Sequence, residues 1–312
     1  VIVTADAAAW LQQLQRPLVE RFGPAPAELL GSIGASPWAG GLGCHPVSTE
    51  VPPEFARDLG KAIEELPDVV KRLLEPRLLG VYFARGLGVP AVTEIVAGDP
   101  EPILGAAVVI DCDAFMHSTA NAWATWKENT PFGGESSLSL ELLIAPDQEN
   151  TRKAAIQYLL LHEFGHVLTL GTAVLPEWWR EPRDWQAGEA YSFLPLAWQI
   201  ADDQQIVPQP ANDFPLRQAV TYYTGARLSR DQLPAIYNAL EGTSFPTLYA
   251  ATNAHDDFAE SFATYVHTIL MHQRYQLRIC HQGIPVFQPA AYWGNCRSVD
   301  RHLFFSRFFA DA

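Results

Sequence analysis

The sequence predicts an α+β fold in two parts, and three observations carry that expectation. Short apolar runs at 79–83, 91–96 and 106–110, bounded by Gly, Pro and Asp, have the length and composition of strands. Longer stretches around them place apolar residues at helical spacing. Beyond Leu170 the chain changes to helices joined by long Pro-containing connections. At 312 residues it is long enough for two lobes with sizeable cores. The expected division is an N-terminal lobe over 1–170, with helices and a small mixed sheet, and a mainly helical lobe over 171–312.

The elements follow in order. Residues 6–22 predict a first helix, with Trp10, Leu11, Leu14, Leu18, Val19 and Phe22 at helical spacing. The stretch 31–53, rich in Gly and Pro, predicts an irregular loop. Residues 55–74 predict a helix striped by Phe55, Leu59, Ile63, Leu66, Val70 and Leu73, kinked or split at Pro67. The three strand runs come next, then a fourth strand at 137–144 whose Ser-Leu-Ser-Leu start alternates like a half-exposed strand. An apolar helix through Ile156, Leu159, Leu160 and Leu161 follows directly. Further on, 229–240 opens with a Ser-x-x-Gln capping pattern, and 256–272 and 298–309 also read as helices. Trp178, Trp179, Trp185 and Trp198 are read as packing within and between lobes.

Composition narrows the partners. With 35 acidic against 21 basic residues the net charge is -14, which disfavours nucleic acid and anionic lipid and suits cationic substrates. No stretch approaches the apolar length of a membrane span, and a monomer is expected. The first residues, Val1-Ile2-Val3-Thr4-Ala5-Asp6, lack a basic region and apolar core, so any signal sequence is expected to be already gone. Cys280 and Cys296 flank a stretch holding Gly283, Pro285, Pro289 and Gly294, a loop that a disulfide would clamp by about 3 kcal/mol. Cys44 and Cys112 serve equally well as a second pair or as inert thiols. Such a bond favours a secreted or exported protein.

The chemistry centres on His162-Glu163-Phe164-Gly165-His166. Two histidines four apart stack one turn above the other, roughly 6 Å along a helix axis, with both rings on one face. That is a two-point clamp for a metal. Catalytic zinc takes three protein ligands and leaves the fourth position to water. Glu163 is then placed to take a proton from that water rather than to bind the ion. A His-Glu-x-x-His string could instead be solvated on an exposed helix. Its setting between Leu159-Leu160-Leu161 and Phe164, Val167, Leu168 and Leu170 argues for burial, where such a cluster needs partners.

The third ligand is not local. Thr169 and Thr172 stand where a metzincin would carry glycine and histidine, and Thr172 also excludes an aspartate at that spacing. The strongest distant candidates lie in Asp256-Asp257-Phe258-Ala259-Glu260, introduced by Asn253. Asp256 and Glu260 share a helix face, so one carboxylate could bind zinc while the other accepts from a ligand histidine. Three acids in five residues exceed what a helix start requires. In a zinc peptidase the strand nearest the active-site helix commonly lines the cleft, where an extended peptide adds to its edge. The strand at 137–144 is the candidate for that edge.

Together, His162-Glu-Phe-Gly-His166 and the run from Tyr249 through Asn253 and Asp256 to Glu260 resemble the catalytic domain of anthrax lethal factor and its gluzincin relatives. The resemblance covers about 60 residues, two motifs and the order of elements. It implies a zincin-like fold, with the active-site helix in the upper lobe, a mainly helical lower lobe and the cleft between them. It also implies one Zn²⁺, a tyrosine near the substrate carbonyl at Tyr249, the third ligand at Asp256 and a supporting acid at Glu260. The family has glutamate at the ligand position, so here either the shorter Asp256 approaches the metal or Glu260 replaces it. His255, next to Asp256, points about 100° away around the helix.

The expected function is therefore zinc-dependent hydrolysis of peptide bonds, with a peptide or protein as substrate and Glu163 and Tyr249 as catalytic residues. The resemblance further implies a bacterial secreted peptidase or effector. Two rivals use the same residues: a zinc amidase acting on a non-protein amide such as a cell-wall peptide, and an inactive zincin-fold binding or effector module.

Overall fold

The computed structural model describes residues 1–36, 39, 43–99 and 103–311. Residues 37, 38 and 40–42 of the expected loop at 31–53, and residue 312 of the expected second lobe, lie outside the described residues. The chain is mixed α/β and forms two compact units, one of residues 1–119 and 151–170, the other of 120–150 and 171–311.

The first unit is built on one sheet. Its strands are β1 (Ile2–Thr4), β2 (Phe22–Pro24), β3 (Val47–Ser48), β4 (Leu78–Arg85), β5 (Ala91–Gly98) and β6 (Ile103–Asp111), in the order β1-β5-β6-β4-β2 with β3 also on β4. β5 runs antiparallel to β6, while β6, β4 and β2 are parallel. The apolar runs of β4 and β6 are continuous because both faces of these strands are covered. Against one face lie α1 (Ala7–Gln13) and α2 (Ala27–Ala35), where Trp10, Leu29 and Ile33 pack on Leu79, Val96, Ala107 and Val109. Phe55 of α3 (Pro53–Glu64) packs edge-on against Phe83, and α4 is Asp68–Leu74. The chain leaves this unit as α5 (Ala120–Asn129) and returns as α6 (Arg152–Leu168), which packs on α3, α4, β5 and β6.

One helix expectation changes at a proline, and another is met at one. The first helix stops at Gln13, because Pro17 is extended (φ -55°, ψ 143°), and Phe22 belongs to β2 instead. The 55–74 helix splits into α3 and α4, with extended Pro67 standing immediately before α4. The expected loop at 31–53 begins inside α2 and includes β3.

The second unit joins its helices by long connections and short strands. Among the described residues it has seven short strands: β7 (Phe132–Gly133), β8 (Leu138–Leu143), β9 (Trp198–Ile200), β10 (Ile206–Pro208), β11 (Leu228–Ser229), β12 (Gln276–His281) and β13 (Ile284–Phe287). Its α-helices are α5, α7 (Leu233–Leu240), α8 (Ala254–Tyr265), continued by a π turn over Val266–Leu270, and α9 (Val299–Ala310). The capping box anticipated at Ser229 and Gln232 is present, but it caps a short 3-10 turn ahead of α7. Phe258, Phe262 and Tyr265 pack on Phe305, which is fully buried. β8, the strand anticipated at 137–144, lies outside the first unit's sheet and pairs antiparallel with β12. Of the four tryptophans, only Trp198 is buried in the core.

The expected disulfide is absent. All four cysteines are free thiols. Cys280 is buried in β12, whereas Cys296 is exposed on a turn, and Gly283 and Pro285 fall in the β12–β13 hairpin rather than in a clamped loop. Burial pushes the Cys112 thiol up to about 12, so that sulfur is an inert core group. The expectation of export loses the support that a disulfide gave it. No helix among the described residues is long and apolar enough to cross a membrane.

Candidate metal centre

The residues singled out by the sequence divide between the two units. His162, Glu163 and His166 lie on α6 in the first; Tyr249, Asp256 and Glu260 lie in the second.

α6 forms because Thr151 caps it, its side chain accepting from the Ala154 N–H, and because nearly every residue from Ala155 to Leu168 is buried. Gln157 fixes it further by donating to the Ala62 carbonyl at 2.9 Å. On this buried helix the two histidines present their Nε2 atoms to each other at 3.2 Å, with ring planes at 80°. Two imidazole nitrogens on one tetrahedral zinc, each about 2.0–2.1 Å from the ion, would stand about 3.3–3.4 Å apart. The pair is therefore already spaced as a clamp. A hydrogen bond between the rings would also fit that distance.

Glu163 is only 5% exposed. Its Oε2 accepts from the Thr93 hydroxyl on β5 at 2.7 Å. This bond ties α6 to β5 of the first unit's own sheet. β1 pairs with β5 only over Val96–Gly98, so on that side no strand among the described residues covers 91–95.

In the second unit Asn253 caps α8, its side chain accepting from the N–H groups of His255 and Asp256. Asp256 Oδ2 accepts in turn from Asn253 Nδ2 at 2.6 Å and from the Thr252 hydroxyl at 3.2 Å. Both are neutral donors that orient the carboxylate. Glu260 is different. It is 1% exposed, its Oε1 meets Lys127 Nζ at 2.6 Å, and its Oε2 accepts from Thr247 at 2.8 Å. Asp257, the third acid of the run, pairs through both oxygens with Arg301 and also accepts from Trp198. His255 donates from Nε2 to the Pro176 carbonyl at 2.8 Å and lies edge-on to Trp178.

Tyr249 sits in a layered setting that the sequence did not signal. Lys127 lies 4.7 Å from its ring centroid, and the Tyr222 ring packs on it at 4.4 Å. Tyr222 and Tyr237 both donate to Glu128 Oε1, at 3.1 and 2.5 Å. Burial pushes the Glu128 carboxyl up, with Lys127 opposing, and burial likewise raises the two phenols well above their ordinary value. Tyr223, beside this layer, takes a positive φ of 65°, a strained turn for a bulky residue. Lys127, Glu128 and Tyr222 are all far in sequence from Tyr249, and no local pattern announces them.

No family model, curated protein or solved structure matches the chain significantly.

Proposed function

We propose that this chain is a zinc-dependent metallopeptidase. The observation that carries the reading is the 3.2 Å approach of the two Nε2 atoms on a buried helix with Glu163 beside them. His162, His166 and Asp256 would hold the ion, each offering one ligand atom. Two imidazoles and a carboxylate are a donor set that catalytic zinc uses. Glu260 is read as the supporting acid, because Lys127 and Thr247 already engage its two oxygens. A bound zinc would supply a water of lowered pKa and polarise the scissile carbonyl.

The chain's own groups perform the remaining work. Glu163 takes a proton from the attacking water and delivers it to the leaving amine. Tyr249, backed by Lys127 and Tyr222, donates its phenol proton as a hydrogen bond to the oxyanion that develops on the substrate carbonyl. The uncovered side of β5 at 91–95 offers main-chain groups to which an extended peptide could add as a strand.

The test is incubation of the purified chain with a panel of unfolded proteins and, separately, with cell-wall peptides. Chelator-sensitive cleavage of the proteins is expected. Cleavage of the cell-wall amide alone would make the protein an amidase, and zinc binding with no hydrolysis would make it a binding module. Asp256→Ala should weaken zinc affinity by more than about 100-fold, whereas Glu260→Gln should stay within the 10–100-fold of a supporting residue. The reverse order would assign the ligand to Glu260.

A further inference from the structure

β5 turns Val92 and Val96 toward the core under α1 and α2, so by alternation Thr93 and Ile95 face the opposite side. There the Thr93 hydroxyl lies 2.7 Å from Glu163 Oε2 and 3.3 Å from the Glu163 carbonyl oxygen, across 70 residues of sequence. A hydroxyl has one proton to give, and the shorter contact, to a carboxylate, receives it.

The geometry points to Thr93 as a positioning residue for Glu163. By donating to Oε2 it fixes the rotation of the carboxylate and leaves Oε1 as the oxygen that takes the proton from water. Thr93 also ties the strand proposed to receive substrate to the helix that carries the base, so substrate and base share one rigid reference. This assignment rests on the reading of Glu163 as general base. Nothing in the sequence marks Thr93, which is an ordinary β-branched residue in a strand.

Thr93→Val keeps the shape and removes the donor; Thr93→Ser keeps the donor. With unfolded casein as substrate, Thr93→Val should lower kcat by about tenfold or more, as loss of a hydrogen bond to a charged group does. KM should stay within about twofold, because no ground-state contact to substrate is removed. Thr93→Ser should recover most of the rate, and zinc content should be equal in all three proteins. A loss confined to KM, or one that serine does not rescue, overturns the assignment. A second measurement stands apart from activity: a urea-unfolding cycle on metal-free protein with Thr93→Val, Glu163→Met and the double variant. The two substitutions should couple by about threefold or more in the unfolding constant, and strict additivity would deny the bond itself. If coupling is found but wild-type protein cleaves nothing, the general-base reading fails and the positioning role with it. If cleavage occurs and Thr93→Val is silent, Thr93 alone is wrong.

Discussion

If the proposed function holds, Glu163→Gln is expected to lower peptide hydrolysis by about three orders of magnitude while leaving zinc binding intact, because the amide cannot accept a proton as a carboxylate does. The substitution is nearly isosteric, and a glutamine oxygen still accepts from the Thr93 hydroxyl, so the helix around it should not rearrange. Paired assays of hydrolysis and metal content on the same preparation check this. Hydrolysis at the wild-type rate would remove Glu163 from the chemistry. Loss of both activity and zinc would make it a residue that holds the site together.

The largest stability effect lies elsewhere, at Asp257→Ala. Asp257 and Arg301 are 0% and 1% exposed and meet through two contacts of 2.6 and 2.8 Å. Ser261 and Trp198 also donate to Asp257. Removing the carboxylate leaves a buried guanidinium with its charge uncompensated, and a loss of about 3–5 kcal/mol follows from breaking such a pair. The pair itself contributes far less than that, since two charges have been taken from water to form it. Asp257→Leu combined with Arg301→Met should therefore recover most of the loss. Chemical denaturation of the three proteins measures this, and a single variant within about 1 kcal/mol of wild type would show that water reaches the arginine.

Those partners also show what the sequence could reveal. The strands at 79–83, 91–96 and 106–110 were legible because apolar runs of that length between Gly, Pro and Asp have few other uses. Pro67 is legible as a break for the same local reason, while the break at Pro17 is masked because Leu18 and Phe22 continue a helical spacing. The clamp was legible because a four-residue interval is set by helix geometry alone. The acidic run was only half legible. Three acids in five residues suggested more than capping without assigning each its partner: Asp257 pairs with Arg301, Glu260 with Lys127, and Asp256 with the cap at Asn253. Each partner is either buried and distant or hidden in a capping pattern, so sorting the acids required the fold. Thr93, Lys127 and Tyr222 were illegible for the same reason, being ordinary residues until a long-range contact gives them a task. The Cys280 and Cys296 expectation failed because spacing says nothing about which way a strand turns its side chains.

The two histidines are proposed to hold a catalytic metal, and metal analysis tests this most directly. Protein purified without chelator should carry about one zinc per chain, and His166→Ala, keeping its fold by circular dichroism, should carry essentially none. Wild-type protein that takes up no zinc when it is supplied, or a His166→Ala variant that retains it with unchanged affinity, would contradict the claim.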